Sequence, residues 1–144
     1  MAEQRTRFFG TYEPRLDEKG RMVLPARMRA QLGETGVLGK LDGCLGLWSL
    51  EGFEEAADQM AADTSGRVSS GALRQFTADA FEISPDQQGR IVIPARLRDY
   101  AQLGPVVAII GRINRAEIWD LQVWNALSDT QDAELNEAVK AIGL

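Results

Sequence analysis

The chain has 144 residues, of which 44% are hydrophobic and 26% charged, a balance that fits one globular domain and excludes a disordered tract. There is no histidine and a single cysteine, Cys44, which excludes an internal disulfide and every histidine-based catalytic or metal arrangement. A formal net charge of -5 argues, taken alone, against a nucleic-acid partner.

The distribution of charge says more. Residues 1–30 carry seven basic side chains (Arg5, Arg7, Arg15, Lys19, Arg21, Arg27 and Arg29) against four acidic ones, a local net of +3 that leaves -8 for the remainder. Acidic surface helices are expected around 51–63 and 129–137, leaving a basic N-terminal end on an acidic body. The opening residues are polar, and the longest apolar runs, such as 106–110, are too short to span a bilayer. The expectation is a cytoplasmic protein with no membrane partner.

In chain order, residues 9–13 read as a short extended run and Asp17-Glu18-Lys19-Gly20 as a turn, in which aspartate can bond nearby N–H groups and glycine can adopt positive φ. Residues 21–24 read as the returning strand of a hairpin. Pro25 then opens a short helix with Ala26-Arg27-Met28-Arg29. A second hairpin follows over 36–40 and 44–48, and Ser49 caps a helix striped by Leu50, Phe53, Ala57 and Met60. Gly66 and Gly71 punctuate a helical connector carrying Val68, Leu73 and Phe76.

The pattern then repeats. At a constant offset of 69, Glu13, Asp17, Gly20, Arg21, Val23, Pro25, Ala26, Arg27 and Arg29 recur as Glu82, Asp86, Gly89, Arg90, Val92, Pro94, Ala95, Arg96 and Arg98. Two residues further out of step, Leu47-Trp48-Ser49-Leu50 matches Ile118-Trp119-Asp120-Leu121. The chain is two copies of one β-β-α-β-β unit, divided as 1–64, a connector over 65–79, and 80–144. Asp120 caps a helix with Leu121, Trp124 and Leu127 on one face. A capping box at Ser128-x-x-Gln131 then predicts a further helix bearing Leu135, Val139 and Ile142. These helices are expected to cover the sheet, with a subunit contact as the alternative.

The doubled signature Asp17-x-x-x-Arg21…Pro25-Ala26-Arg27 and Asp86-x-x-x-Arg90…Pro94-Ala95-Arg96 resembles the paired D-x-x-x-R motif of the MraZ family. Gly10-Thr11-Tyr12, Leu41-Asp42-Gly43-Cys44-Leu45 and Glu117-Ile118-Trp119 support the resemblance, which covers nearly the whole chain. It implies an α+β fold: an AbrB-like swapped-hairpin β-barrel built from two internal repeats, with additional helices. It also implies a nucleoid-associated regulator of transcription of the division and cell-wall gene cluster. The partners implied are double-stranded promoter DNA with tandem G-containing direct repeats and further copies of the chain in a homo-oligomeric ring, with no cofactor, metal or small-molecule substrate. Two units in one chain can complete each other's barrel, and a head-to-tail ring presents protomers in the orientation that direct repeats require.

Carried over by position, the resemblance makes Arg21 the candidate for bidentate contact with guanine, Lys19 and Arg15 its phosphate-binding neighbours, and Asp17 the residue that orients Arg21. The bland alternative is a local Asp17–Arg21 ion pair that stiffens a turn. In the second copy Gln88 replaces Lys19 and Ser84 replaces Arg15, so Asp86 and Arg90 are expected to serve mainly the fold or a subunit interface. Arg27, Arg29, Arg96 and Arg98 read as helix-surface or interface residues first, and Arg5 and Arg7 as added phosphate contacts on a flexible arm.

Enzyme readings are weaker. An Asp17/Asp86 acid–base pair lacks the Asp-Thr-Gly context of aspartic proteases, and the glycines of 33–41 miss phosphate-loop spacing, with Leu41 where a magnesium-binding hydroxyl belongs. Cys44 lies in an apolar stretch and reads as buried filler. The serious alternative is an AbrB-like antitoxin or protein-binding assembly module.

Overall fold

The computed structural model describes residues 7–144. The first copy runs β1 (Thr11–Tyr12), β2 (Arg21–Val23), α1 (Ala26–Leu32), β3 (Gly36–Lys40), β4 (Leu45–Ser49) and α2 (Leu50–Ala62). After α3 (Ser70–Ala78), the second runs β5 (Phe81–Ile83), β6 (Arg90–Val92), α4 (Ala95–Tyr100), β7 (Val107–Gly111), β8 (Ala116–Asp120) and α5 (Leu121–Ile142). The expected β-β-α-β-β order is present in both halves. Pro25 and Pro94, each with φ near -55°, stand just before α1 and α4. Their carbonyls accept from Met28 and Arg29 and from Leu97 and Arg98, respectively, each at 3.0 Å.

The hairpins β3–β4 and β7–β8 form as expected, each with five paired positions. The hairpin read between 9–13 and 21–24 does not. Instead β1 pairs with β7, β5 pairs with β3, and β2 pairs with β6, all across the two copies. The segment that follows β1 stays with the second copy too: Val107 N donates to Pro14 O at 3.1 Å and Leu16 N to Pro105 O at 2.9 Å. Only the turn itself is local, closed by Gly20 N donating to Asp17 O at 3.0 Å.

The six-stranded sheet has the order β1-β7-β8-β4-β3-β5 and is antiparallel throughout. Exchanging the copies reverses this order onto itself, so a pseudo-two-fold axis passes between β8 and β4. The two-stranded β2–β6 ribbon lies on the same axis. The sheet is open, with β1 and β5 as edges, so the closed barrel expected from the sequence is not completed by hydrogen bonds. These edges are two and three residues long and lead into Pro14 and Pro85, which supply no N–H for further pairing.

The core joins both copies. Leu24, Leu38, Leu45, Leu47, Ile93, Ile109 and Ile118 are fully buried in one cluster with Met22 and Ile91 from the ribbon. Beside it, Trp48 meets Phe53 of α2 and Phe76 of α3 edge-on, which seats the connector on β4. Asp79, just after α3, binds Lys40 of β3 at 2.7 Å, Arg96 of α4 at 2.9 Å, and Gln75. Asp79 thus clasps the connector to both repeats, through Lys40 and Arg96, and the run 36–40 is strand, not a phosphate loop.

Asp120 accepts from Val123 N and caps α5, as Ser49 accepts from Gly52 N and caps α2. Contrary to the expected break at Ser128, α5 is one helix of 22 residues. Its interior holds neither glycine nor proline, and N–H groups already bonded within the helix have no need of a cap. The expected covering role is limited to its first two turns, because residues 129–142 are exposed apart from half-buried Val139.

Gly20 has φ +79°, and a Cβ there would lie 2.7 Å from Ile93 O and 2.8 Å from Arg98 Nε. Gly20→Ala is therefore expected to lower stability by about 1–3 kcal/mol, read as a reduced urea midpoint; an unchanged midpoint would contradict the packing described.

Candidate nucleic-acid interface

The two Asp-x-x-x-Arg turns are built alike. Asp17 Oδ1 accepts from the backbone N–H of Lys19 at 2.9 Å and of Arg21 at 2.8 Å, while Oδ2 accepts from Arg21 Nε at 2.8 Å. In the second copy Asp86 takes the same three bonds from Gln88, Arg90 and Arg90 Nε, all at 2.9 Å. One carboxylate thus closes the turn and aims the guanidinium. The local ion pair is real, and it engages each arginine only through Nε. Among the described residues, Nη1 and Nη2 of Arg21 and Arg90 have no hydrogen-bond partner.

Both carboxyls are held below the ordinary carboxylate value. For Asp17 the main cause is the Arg21 N–H, followed by the Arg21 side chain and the Lys19 N–H. For Asp86 it is the Arg90 N–H, then the Arg90 side chain and the Gln88 N–H. Such carboxylates stay ionised at neutral pH and keep their arginines oriented. That is the opposite of a general acid, whose pKa must be raised, so the geometry does not favour an Asp17/Asp86 proton-sharing pair.

Cross-copy pairing then brings the two arginines together. Met22 opposes Ile91 in the ribbon and both are buried, whereas Arg21 opposes Val92 and Val23 opposes Arg90. Because side chains alternate across a strand, Arg21, Val23, Arg90 and Val92 share the outer face. Val23 and Val92 are about half exposed, at 51% and 48%. Arg21 and Arg90 are diagonal neighbours, roughly 7–8 Å apart at Cα, which is close to two base-pair steps. Beyond each strand, Leu24 N donates to Gly89 O at 2.9 Å and Ile93 N to Gly20 O at 2.8 Å, tying each copy to the other's turn.

The helix arginines are split by role. Arg98 Nε donates to Ile93 O at 3.0 Å and its guanidinium packs against Gly20; the Arg29 guanidinium packs against Gly89, its buried Nε having no hydrogen-bond partner among the described residues. They are buttresses inside the chain, each repeat supporting the other's turn. Arg27 is exposed, and Arg96 reaches Asp79.

Of the other candidates, Lys19 lies exposed in the first turn, and Arg15 lies exposed on the segment before it, bridged through its backbone to Val106. Arg90 sits on the same outer face as Arg21 with the same tether. Arg7 is anchored, its N–H donating to Gln31 Oε1 at 2.8 Å, beside buried Phe8; Arg5 lies outside the described residues. Cys44 is buried, and burial pushes its thiol up to about 12, as suits an inert filler. Sequence reasoning missed the joint placement of Arg21 and Arg90 and the buttressing by Arg29 and Arg98. The only signal was that all four recur in register.

The two halves are matched separately, over residues 7–74 and 76–142, by a family model described as "MraZ protein, putative antitoxin-like". The chain belongs to the MraZ family. Among curated members of the MraZ family it is 42% identical over 137 residues to the transcriptional regulator MraZ of Kocuria rhizophila, covering 94% of this chain and 96% of that one. It is 42% identical over 132 residues to the protein of the same name from Micrococcus luteus, covering 90% and 92%. The match with that of an Arthrobacter species is 41% over 140 residues, covering 94% and 99%. The paired matches of the MraZ model coincide with the duplication that the turns display.

Because both turn carboxyls are depressed in the folded state, the stability they contribute is present above the ordinary value of about 3.9 and is lost as pH falls through the lower folded value. Asp17→Asn is expected to be less stable than the parent at pH 7, with the difference shrinking below about pH 4, as checked by thermal melts across pH; a difference independent of pH would refute the linkage.

Proposed function

We propose that the chain is a sequence-specific DNA-binding regulator of transcription. Its relatives' printed name, Transcriptional regulator MraZ, supports the general reading. The observation that carries it is the ribbon: two arginines, oriented by carboxylates and without a partner at either Nη among the described residues, on the exposed face of a two-stranded element. A two-stranded β-ribbon fits the major groove, and an Arg fork matches O6 and N7 of guanine.

In this reading Arg21 reads guanine, Asp17 positions it, and Lys19 and Arg15 neutralise phosphates beside it. Arg90, positioned by Asp86, faces the same groove with weaker phosphate support, since Gln88 and Ser84 are neutral. The cross-copy exchange of β2 and β6 supports a swapped-hairpin relationship between repeats at 1–64 and 80–144, joined by the connector 65–79. The DNA is a set of tandem G-containing direct repeats in the promoter of the chain's own division and cell-wall gene cluster, engaged at the nucleoid by a ring of protomers. Repetition multiplies a small basic patch on an acidic body into a useful affinity.

Gel shifts on the promoter upstream of the protein's own gene, over a range of salt, test this. Arg21→Ala is expected to cost about 1–3 kcal/mol and to relax base preference at one position, whereas Lys19→Ala weakens all sequences alike and lowers the salt slope by about 1. Absence of repeat-dependent binding at low salt, or binding indifferent to Arg21→Ala and Arg90→Ala alike, would instead favour a protein-binding, antitoxin-like module.

A further inference from the structure

The outer face of the β2–β6 ribbon alternates charge with hydrocarbon. Arg21 lies directly opposite Val92, and Val23 directly opposite Arg90. Each arginine therefore has one valine across from it, with Cβ atoms about 4.5–5.5 Å apart, and another two residues along its own strand, about 6.6 Å away. Strand propensity asks for a β-branched residue at such positions, and threonine meets that demand in contact with water. Valine stands there in both copies instead, and both valines are half exposed.

The surroundings of Val92 decide what kind of group suits it. A hollow of 270 Å³ beside it is lined by Ile83 and by Phe81, itself 44% exposed, together with Arg21 and Arg90. Two carboxylates, Glu82 and Asp86, line the same hollow. Asp86 is engaged by Arg90 and by the Gln88 N–H, whereas the Glu82 side chain has no hydrogen-bond or ion-pair partner among the described residues. An uncompensated carboxylate repels phosphate and leaves an uncharged apolar group as the fitting occupant.

We propose that Val23 and Val92 select thymine, by packing against its C5 methyl group in the major groove while Arg21 and Arg90 hold guanines nearby. This role rests on the DNA reading above and adds a second base that the ribbon distinguishes. Reach divides the work. An arginine extends to N7 and O6 of guanine, whereas valine ends at its γ carbons and meets only a group that projects from the base edge, as the thymine methyl does. Cytosine at the same place presents an N4 amino donor, for which valine has no acceptor. Successive bases on a strand are about 3.4 Å apart, so the spacings across and along the ribbon put each selected thymine one or two steps from a guanine held by arginine.

Fluorescence anisotropy on the full chain tests it. The probes are the duplex from upstream of the protein's own gene and the same duplex with deoxyuridine for thymidine in its repeats, an exchange that deletes the C5 methyl and keeps every hydrogen-bonding atom. The parent is expected to bind the uridine duplex about fourfold more weakly for each methyl contacted, and about fifteenfold for two, the worth of burying one and two CH₂-sized groups. Val23→Ser combined with Val92→Ser is expected to weaken binding to the thymidine duplex by a similar factor and to make the two duplexes equivalent, the non-additivity that direct contact requires. Circular dichroism and sedimentation check that this variant keeps the parent's fold and mass. Repeat-dependent binding by the parent that ignores the missing methyls would overturn the proposal without recourse to any variant. So would a folded double variant that still discriminates the duplexes, or one that binds the thymidine duplex as tightly as the parent, the result for valines that serve a protein partner. A parent with no repeat-dependent binding overturns the DNA reading as well, so the two failures are distinguishable.

Discussion

The pairing of β2 with β6 is the constraint on which the rest depends. Three residues of strand cannot stand alone, and among the described residues each of these two pairs only with the other copy's equivalent. Burial of Met22 against Ile91 fixes the register, and with it the side of the ribbon that Arg21, Val23, Arg90 and Val92 occupy. A slip of one residue would turn the arginines into the core and the core residues out to water. The reading face and the hydrophobic core are therefore set by one pairing, and neither repeat can possess the site by itself.

The turn carboxylates add the second layer. Asp17 and Asp86 each spend one oxygen on two backbone N–H groups and the other on an arginine Nε, so one side chain fixes the loop and orients the guanidinium. Such a pair at the surface contributes little to stability. Its value is orientation, since a guanidinium held at Nε presents a fixed fork where a free one would have to surrender rotamer entropy on binding. The buttresses Arg98 and Arg29 make this reciprocal, because each turn leans on the other repeat's helix.

Charge is partitioned to match. The acidic surplus sits on helices, with four carboxylates and no cation on α2 and four carboxylates against Lys140 over residues 129–142, while residues 1–30 carry a net +3. A net negative chain can thereby present a basic face to a polyanion.

The duplication, the turns, the helix caps at Ser49 and Asp120, and the pairing of each aspartate with its arginine were all legible in the sequence, because each rests on bonds within a few residues. So was family membership, through the twin motif. Three features were decided only by tertiary structure. The first hairpin dissolved into cross-copy pairing, since an antiparallel register between segments 69 residues apart leaves no local trace. The barrel stayed open, its short edge strands β1 and β5 leading into Pro14 and Pro85, which have no N–H to carry pairing further. Helix α5 ran on through Ser128 and out into solvent, since an amphipathic pattern states that a face will be buried and not what buries it. The placement of Arg90 beside Arg21 belongs with these: recurrence in the chain gave two equivalent arginines, and only a pseudo-two-fold axis through the ribbon put them on one face.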